Sequence, residues 1–293
     1  MILDPFEYYA PISLDEAFDI ASSIGGDFKF LAGGQTLIPM MKMNLIKVSS
    51  IIDLKKIRSL YFLEEDKGWI RIGSLVRHAE ISESELIKKH LPILSYAAGK
   101  IAHQLVRNRG TIGGSISFGH YAADLCVVAL LLNAKIEVIR KGSTRYVEAD
   151  KFFIGPLTTD LRQDEIVKSI SFKIPEEKYG WSFNKLVLSH GDFPLLITAV
   201  ILKKDEDKKE SGVITDIKIA LGGVADTVVR AKEVEEFLIG KEVTEENVLK
   251  ASKLASSIYN PSSTLEFSSN YMKRMVEVYL KRSIIQAYNR AQG

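Results

Sequence analysis

Two short patterns carry most of the chemistry legible in this chain: Ala32-Gly33-Gly34-Gln35-Thr36, closing the apolar run Phe28 to Leu31, and Thr111-Ile112-Gly113-Gly114-Ser115 further along. Paired glycines leave backbone N–H groups uncovered, because no Cβ obstructs the approach of an anion. Two such turns, brought together, could hold two linked phosphates. A third pair, in Ala220-Leu221-Gly222-Gly223-Val224, reads as a strand-end turn or bulge. The flanking hydroxyls Thr36, Thr111 and Ser115 set the first two apart. Neither is a Rossmann fingerprint, since the three-glycine spacing and a strand-turn-helix context are both missing, and neither is a P-loop, since no lysine follows.

The remaining reactive side chains exclude more than they assign. Asp124 stands at the mouth of the apolar run Leu125 to Leu132, where a carboxylate is either a helix N-cap or an acceptor for ribose hydroxyls. His78, His103 and His120 lack metal-ligand spacing, so no metal is expected. No nucleophile elbow occurs, and Cys126 lies inside the apolar run, where it reads as packing. No catalytic side chain is assigned; redox chemistry, if present, belongs to a bound cofactor.

The 293 residues include 39 basic and 37 acidic side chains, a net charge of +2, with no basic run to attract nucleic acid. A single cysteine excludes an intrachain disulfide and an iron–sulfur cluster or cysteine-ligated zinc held by this chain alone, and fits a reducing intracellular compartment. Asp4, Glu7, Asp15 and Glu16 stand where a signal peptide would need a basic start. The longest apolar run falls short of the roughly 20 residues of a membrane helix. A cytoplasmic protein without a membrane span is expected.

The elements that position these residues follow from local patterns. Ser13-Leu14-Asp15-Glu16 has capping-box spacing and Gly25-Gly26 supplies a left-handed stop, predicting a helix over 14–24. Strands at Phe28 to Leu31 and Ile51 to Leu54 complete a first lobe, 1–56. A second lobe, 57–176, is expected to hold strands at Tyr61 to Leu63 and Trp69 to Ile72, helices near 82–90 and 92–103, the buried helix Leu125 to Leu132, and antiparallel strands at Lys135 to Ile139, Arg145 to Val147 and Ile166 to Ile174. The polar stretch Pro175 to Gly180 marks the start of a C-terminal domain, 177–293. There the pattern predicts a three-stranded meander (Phe183 to Leu188, Leu195 to Lys203, Ile214 to Leu221), then helices near 230–239, 245–258 and 268–290. The mixed-sign run Lys203 to Glu210 reads as a solvated loop. The fold class is α+β.

Three segments together, Leu31-Ala32-Gly33-Gly34-Gln35-Thr36-Leu37-Ile38-Pro39, Gln104-Leu105-Val106-Arg107-Asn108-Arg109-Gly110-Thr111-Ile112-Gly113-Gly114-Ser115 and Ala220-Leu221-Gly222-Gly223-Val224, make the chain resemble the FAD-binding medium subunit of molybdenum hydroxylases. That family includes medium subunits of aerobic carbon monoxide dehydrogenase and of aldehyde or glyceraldehyde oxidoreductases, and the flavin domain of xanthine dehydrogenase. The resemblance implies a two-lobed FAD-binding fold of the vanillyl-alcohol-oxidase type plus a C-terminal flavoprotein domain, with FAD between the lobes and both double-glycine segments around its pyrophosphate. By matched position the cofactor-binding residues are Leu31, Ala32, Gly33, Gly34, Gln35, Thr36, Leu37, Ile101, Thr111, Ile112, Gly113, Gly114, Ser115, Asp124, Leu161 and Lys185. Ile101 would lie along the cofactor, Asp124 would reach the ribose or diphosphate region, and Leu161 and Lys185 would lie near the flavin ring, with Phe193 a candidate cover for it. Ser115 replaces the asparagine most common at its position, and Phe118-Gly119-His120-Tyr121-Ala122 lacks a proline often seen there. Arg107 and Arg109 suit either phosphate contact or an intersubunit or solvent role.

The resemblance implies an electron-transfer subunit, taking electrons from an iron–sulfur small subunit with two [2Fe-2S] clusters and passing them to an external acceptor. A large subunit would hold the molybdopterin cofactor. Two other readings stand beside it: a stand-alone flavin reductase similar to the enolpyruvate reductase of cell-wall synthesis, and a non-enzymatic nucleotide-binding assembly module.

Overall fold

The computed structural model of the protein describes residues 3–189, 191–205, 212–261, 263 and 267–291. Its first unit follows the local signals. Helix α1 (Leu14–Ile24) is capped by the Ser13 hydroxyl, which accepts the Glu16 N–H, and ends at left-handed Gly25. Its buried stripe is Ala17, Phe18 and Ala21. Strands β1 (Glu7–Tyr9), β2 (Phe28–Leu31) and β3 (Ser50–Asp53) form a parallel sheet in the order β1-β3-β2. A short helix, α2 (Leu37–Lys42), follows the first glycine pair. Alternation along β3 sends Ile52 into the cluster around α1 and Ile51 into the cluster beside α2, so the sheet is buried on both faces, as a parallel sheet requires.

This corrects the expectation that a strand-turn-helix context is missing: β2, the Gly33-Gly34 loop and α2 form one, although the three-glycine spacing remains absent. Pro39 obscures the helix in sequence. At the third helical position it is tolerated, because N–H groups of a first turn have no intrahelical partner.

The second unit carries a five-stranded antiparallel sheet, β4 (Leu63–Asp66), β5 (Trp69–Gly73), β6 (Lys135–Arg140), β7 (Ser143–Glu148) and β10 (Ile166–Lys173), in the order β4-β5-β10-β6-β7. Its first strand is Leu63–Asp66 rather than Tyr61 to Leu63, set by pairing with β5 across the Lys67-Gly68 turn. Helices α3 (His78–Glu83), α4 (Glu85–His90), α5 (Pro92–Gly99), α6 (Gln104–Arg107), α7 (Ile112–Phe118), α8 (Asp124–Leu131) and α9 (Ala149–Phe152) surround it. A small hairpin joins β8 (Phe153–Gly155) to β9 (Thr158–Thr159). The helix expected to reach 103 ends at Gly99. All eight residues of α8 are buried, which explains a sequence without a polar stripe.

The second glycine pair is not a turn. Gly113 and Gly114 lie in the first turn of α7, whose N-cap Thr111 accepts the Gly114 N–H at 3.1 Å. Asp124 is not the N-cap of α8 either; Ala123 holds that position.

The third unit is a four-stranded antiparallel sheet, one strand more than expected: β11 (Gly180–Leu186), β12 (Leu196–Lys204), β13 (Ile214–Gly222) and the two-residue β14 (Val229–Arg230). Helices α10 (Lys232–Leu238), α11 (Glu245–Ile258) and α12 (Ser269–Arg290) cover one face. The other face delivers Phe183, Ile197, Ala199 and Ala220 into the same core as α5 and α8. Most of the run Lys203 to Glu210 lies outside the described residues. Among the described residues no helix is long and apolar enough to cross a membrane, and no group of three or more His, Cys, Asp or Glu is placed to hold a metal ion.

Candidate functional site

A cleft of about 710 Å³ runs between the first sheet and the second, within the range of small-molecule and cofactor sites. One wall is Leu31 to Leu37, at the carboxyl end of parallel strand β2, where ligands of such sheets bind. The opposite wall is Thr111, Gly113, Gly114 and Ser115, with Ser74, His78 and Phe118 beside them. The segment Leu157 to Val167, including Leu161, closes a third side.

Each glycine is required for its own reason. A Cβ on Gly33 would collide with the carbonyl oxygen of Arg109 and lie 2.8 Å from the Gly110 α-carbon, so only glycine lets the two patterns touch through backbone. Gly34 is left-handed, with φ +70°. A Cβ on Gly113 would collide with Ser74. Gly114 alone faces the gap: a Cβ there would sit 4.0 Å from Ala32 Cβ on the other wall.

The donors are unequally distributed. In the second pattern the N–H groups of Ile112 and Gly113 donate to Val76 O and Ser74 O at 3.0 Å each, and those of Gly114 and Ser115 are taken by Thr111 Oγ1 and O. Among the described residues, the N–H groups of Gly33, Gly34, Gln35 and Thr36 have no acceptor. The bare-donor chemistry expected of both patterns therefore resides in the first. Successive unpaired N–H groups around a left-handed residue form an anion-binding concavity. Thr36 caps α2 with its backbone only, leaving its hydroxyl out of any cap bond. Across the cleft, Ser74 Oγ is buried without a partner among the described residues.

Leu161 holds its place through Arg145, which pairs with buried Glu165 at 2.7 and 2.8 Å and with Asp160 at 2.5 Å; Glu165 also accepts the Arg162 N–H at 2.9 Å. Leu157 adopts φ +50°, an uncommon conformation for a leucine, on the cleft rim.

Four expected site residues stand apart from the cleft lining. Ile112 is fully buried in the second core. Ile101, Asp124 and Lys185 form a second cluster: Lys185 Nζ lies 2.8 Å from Asp124 Oδ1 and donates to Lys100 O at 2.7 Å, next to the half-buried Ile101. Burial raises the Asp124 carboxyl above the usual range, with Lys185 opposing the shift. From Phe118 on the cleft wall runs an aromatic stack, in which His120 lies 6.0 Å from Phe118, 4.4 Å from Tyr121 and 4.5 Å from Phe193. Gly223 N–H ties to Tyr121 O at 3.0 Å, so the third glycine pair docks the C-terminal sheet beside this stack.

Arg107 donates to Ile101 O, Ala102 O and Gln104 Oε1, a fastening of α6 rather than a cleft contact. Arg109 is exposed, outside the cleft lining. Cys126 is fully buried, its thiol pushed well above the ordinary range. Sequence reasoning missed Ser74, His78 and Phe118 as wall residues, because nothing in their local spacing sets them apart.

Residues 4–176 match the family described as the FAD binding domain in molybdopterin dehydrogenase, and residues 181–287 match the CO dehydrogenase flavoprotein C-terminal domain. The nicotine 6-hydroxylase medium subunit of Paenarthrobacter nicotinovorans is 35% identical over 287 residues, 98% of this chain and 99% of that protein. The glyceraldehyde dehydrogenase medium chain of Sulfolobus acidocaldarius is 35% identical over 273 residues, 93% of this chain and 95% of its own length. A solved structure of carbon monoxide dehydrogenase from Hydrogenophaga pseudoflava, lacking the Mo-pyranopterin moiety of its cofactor, superposes with a TM-score of 0.94 at 34% identity, covering 99% of each chain. The bare amides and orphan hydroxyl of the cleft suit a diphosphate-bearing cofactor, and the chain belongs to the family of FAD-binding medium subunits of molybdenum hydroxylases.

Proposed function

We propose that FAD lies in the cleft with its diphosphate against the Gly33 to Thr36 amides, and that the chain relays electrons from an iron–sulfur small subunit to an external acceptor. The observation that carries this is the row of four backbone N–H groups, Gly33 to Thr36, that find no acceptor among the described residues, on the wall of a cofactor-sized cleft opposite Gly114. FAD, when bound, supplies uptake of single electrons and release of a pair. The chain binds and orients it. Leu31, Ala32, Gln35 and Leu37 shape the loop around the amides; Thr111, Gly113, Gly114 and Ser115 build the facing wall, which Ile112 anchors in the second core; Leu161 borders the third side. Ile101, Asp124 and Lys185 are assigned to the cofactor by their matched positions in the family. In that role Lys185 is the nearby positive charge that would offset negative charge on the flavin ring.

The single, buried cysteine means that clusters must come from another chain. We assign the two [2Fe-2S] clusters to a small subunit and the molybdopterin to a large one, in a cytoplasmic complex. A stand-alone reductase would oxidise NADPH as an isolated chain; the full-length match to hydroxylase medium chains does not favour it. Purification from the native source tests the proposal. The expected preparation shows flavin and iron–sulfur absorption and contains two further chains; a colourless chain that purifies alone would sink it.

A further inference from the structure

The cleft wall holds a histidine that the glycine patterns do not explain. His78, the first residue of α3, is 3% exposed and lines the cleft. Its Nε2 lies 3.3 Å from Ser115 Oγ, while its Nδ1 is buried without a partner among the described residues. The ring is held in place: the His78 N–H donates to Gly110 O at 3.0 Å, and a Cβ on Gly110 would fall 2.8 Å from His78 Cδ2, so glycine there makes room for the imidazole.

Burial, reinforced by the Arg107 guanidinium, lowers the His78 pKa to about 4, so the ring is neutral and carries one N–H. Its two tautomers differ in what they leave unpaired. With the hydrogen on Nδ1, a buried N–H has no acceptor, and Ser115 must spend its own hydrogen on Nε2. With the hydrogen on Nε2, that N–H donates to Ser115 Oγ and only a lone pair is orphaned. Orphaned buried N–H groups are the rarer outcome. The Ser115 hydroxyl hydrogen is then free to rotate toward another acceptor. Its backbone is already committed, the N–H to Thr111 O and the carbonyl to Cys126 Sγ.

We propose that His78 is a positioning residue for FAD binding: it donates Nε2–H to Ser115 Oγ, which turns the Ser115 hydroxyl hydrogen into the cleft as a donor to the cofactor diphosphate. The proposal rests on FAD occupying this cleft.

Two measurements on the full chain test it. The first is 15N NMR of the histidine-labelled protein without FAD, where the Nε2–H tautomer of His78 is expected, with resonances that move in Ser115→Ala. The second is FAD titration by fluorescence. His78→Leu and Ser115→Ala are each expected to weaken binding about tenfold, the loss of one hydrogen bond, and the double variant no further than either single. His78→Gln, which keeps an N–H near the Nε2 position, restores most of the affinity. An Nδ1–H tautomer, or losses that multiply in the double variant, overturns the proposal. If His78→Leu fails to fold, Ser115→Ala decides alone: unmoved His78 resonances or unchanged FAD affinity overturns it. A wild-type chain that binds no FAD, while showing the Nε2–H tautomer, overturns the FAD reading itself and the proposal with it.

Discussion

Gly33 packs its α-carbon directly against the Arg109 carbonyl, so the two glycine-bearing segments are joined by backbone contact rather than merely facing each other. Gly33→Ala must push them apart. Overpacking of this kind costs about 1–3 kcal/mol, and the displaced amides would no longer share one ligand. A lowered Tm together with loss of FAD retention is expected. Gly114→Ala is the control: its Cβ meets only Thr111 Oγ1 at 3.1 Å and otherwise projects across the gap toward Ala32. Its stability should stay within about 1 kcal/mol of wild type while FAD affinity falls. Equal Tm losses in both variants would refute this division of roles.

Asp124 and Lys185 form a pair with side chains only 8% and 15% exposed. Lys185→Met leaves an uncompensated buried carboxylate, at a cost of about 3 kcal/mol near neutral pH. Asp124 already has a raised pKa, so its ionisation in the folded state is disfavoured and stability is lost as pH rises from the unfolded carboxylate range through the folded value. Removing Lys185 enlarges that loss. Urea unfolding should show a larger deficit for the variant at pH 7.5 than at pH 5, and Asp124→Asn should recover part of it; a deficit independent of pH would refute the argument.

His78 titrates at about 4 in the folded chain against an ordinary 6.5. Its pKa is depressed on folding, so the stability it confers is complete above 6.5 and is lost as pH falls toward 4, by about 3 kcal/mol in all. Between those values the unfolded chain binds the extra proton. His78→Gln should flatten the stability profile of the chain between pH 4 and 6.5. Superimposable slopes for variant and wild type would show that the ring is not held neutral.

Arg145 ties buried Glu165 and Asp160 beneath the Leu161 segment. Arg145→Ala removes the guanidinium that Glu165 and Asp160 share and leaves Glu165, which is 3% exposed, with only the Arg162 N–H. Because the guanidinium is itself about one-third exposed, the cost is expected near 2 kcal/mol rather than the full price of a buried pair. Faster proteolysis within 157–167 and weaker FAD binding should accompany it. An unchanged cleavage pattern would mean that the hairpin and β10 hold the segment without Arg145.

Cys126 is fully buried with a raised thiol pKa. A thiol reagent should label it only as the chain unfolds, with labelling tracking urea denaturation. Rapid labelling of the native protein would contradict the buried position of α8.

Elements with self-contained signals were legible from the residues alone. The Ser13 cap and Gly25 stop bound α1 at Leu14–Ile24, and the apolar run beginning at Leu125 became the buried helix α8. The two-residue β14 was not legible, because a strand that short has no periodicity and exists only through pairing with β13. Helix α2 was hidden by Pro39. The second glycine pair read as a turn because glycine weakens helices, yet Gly113 is required there by the nearness of Ser74.

The order and spacing of the glycine-bearing segments carried the resemblance to the family and its cofactor class, and the local helix and strand patterns carried the α+β fold class, since both depend on residue types along the chain. Only the tertiary structure decided which amides are free. Ile112 and Gly113 give their N–H groups to Val76 and Ser74, distant residues brought close by the second core, whereas the amides of Gly33 to Thr36 meet no such acceptor among the described residues. Satisfaction of a backbone donor depends on what folds against it, and that partner is not written in the donor's own sequence neighbourhood.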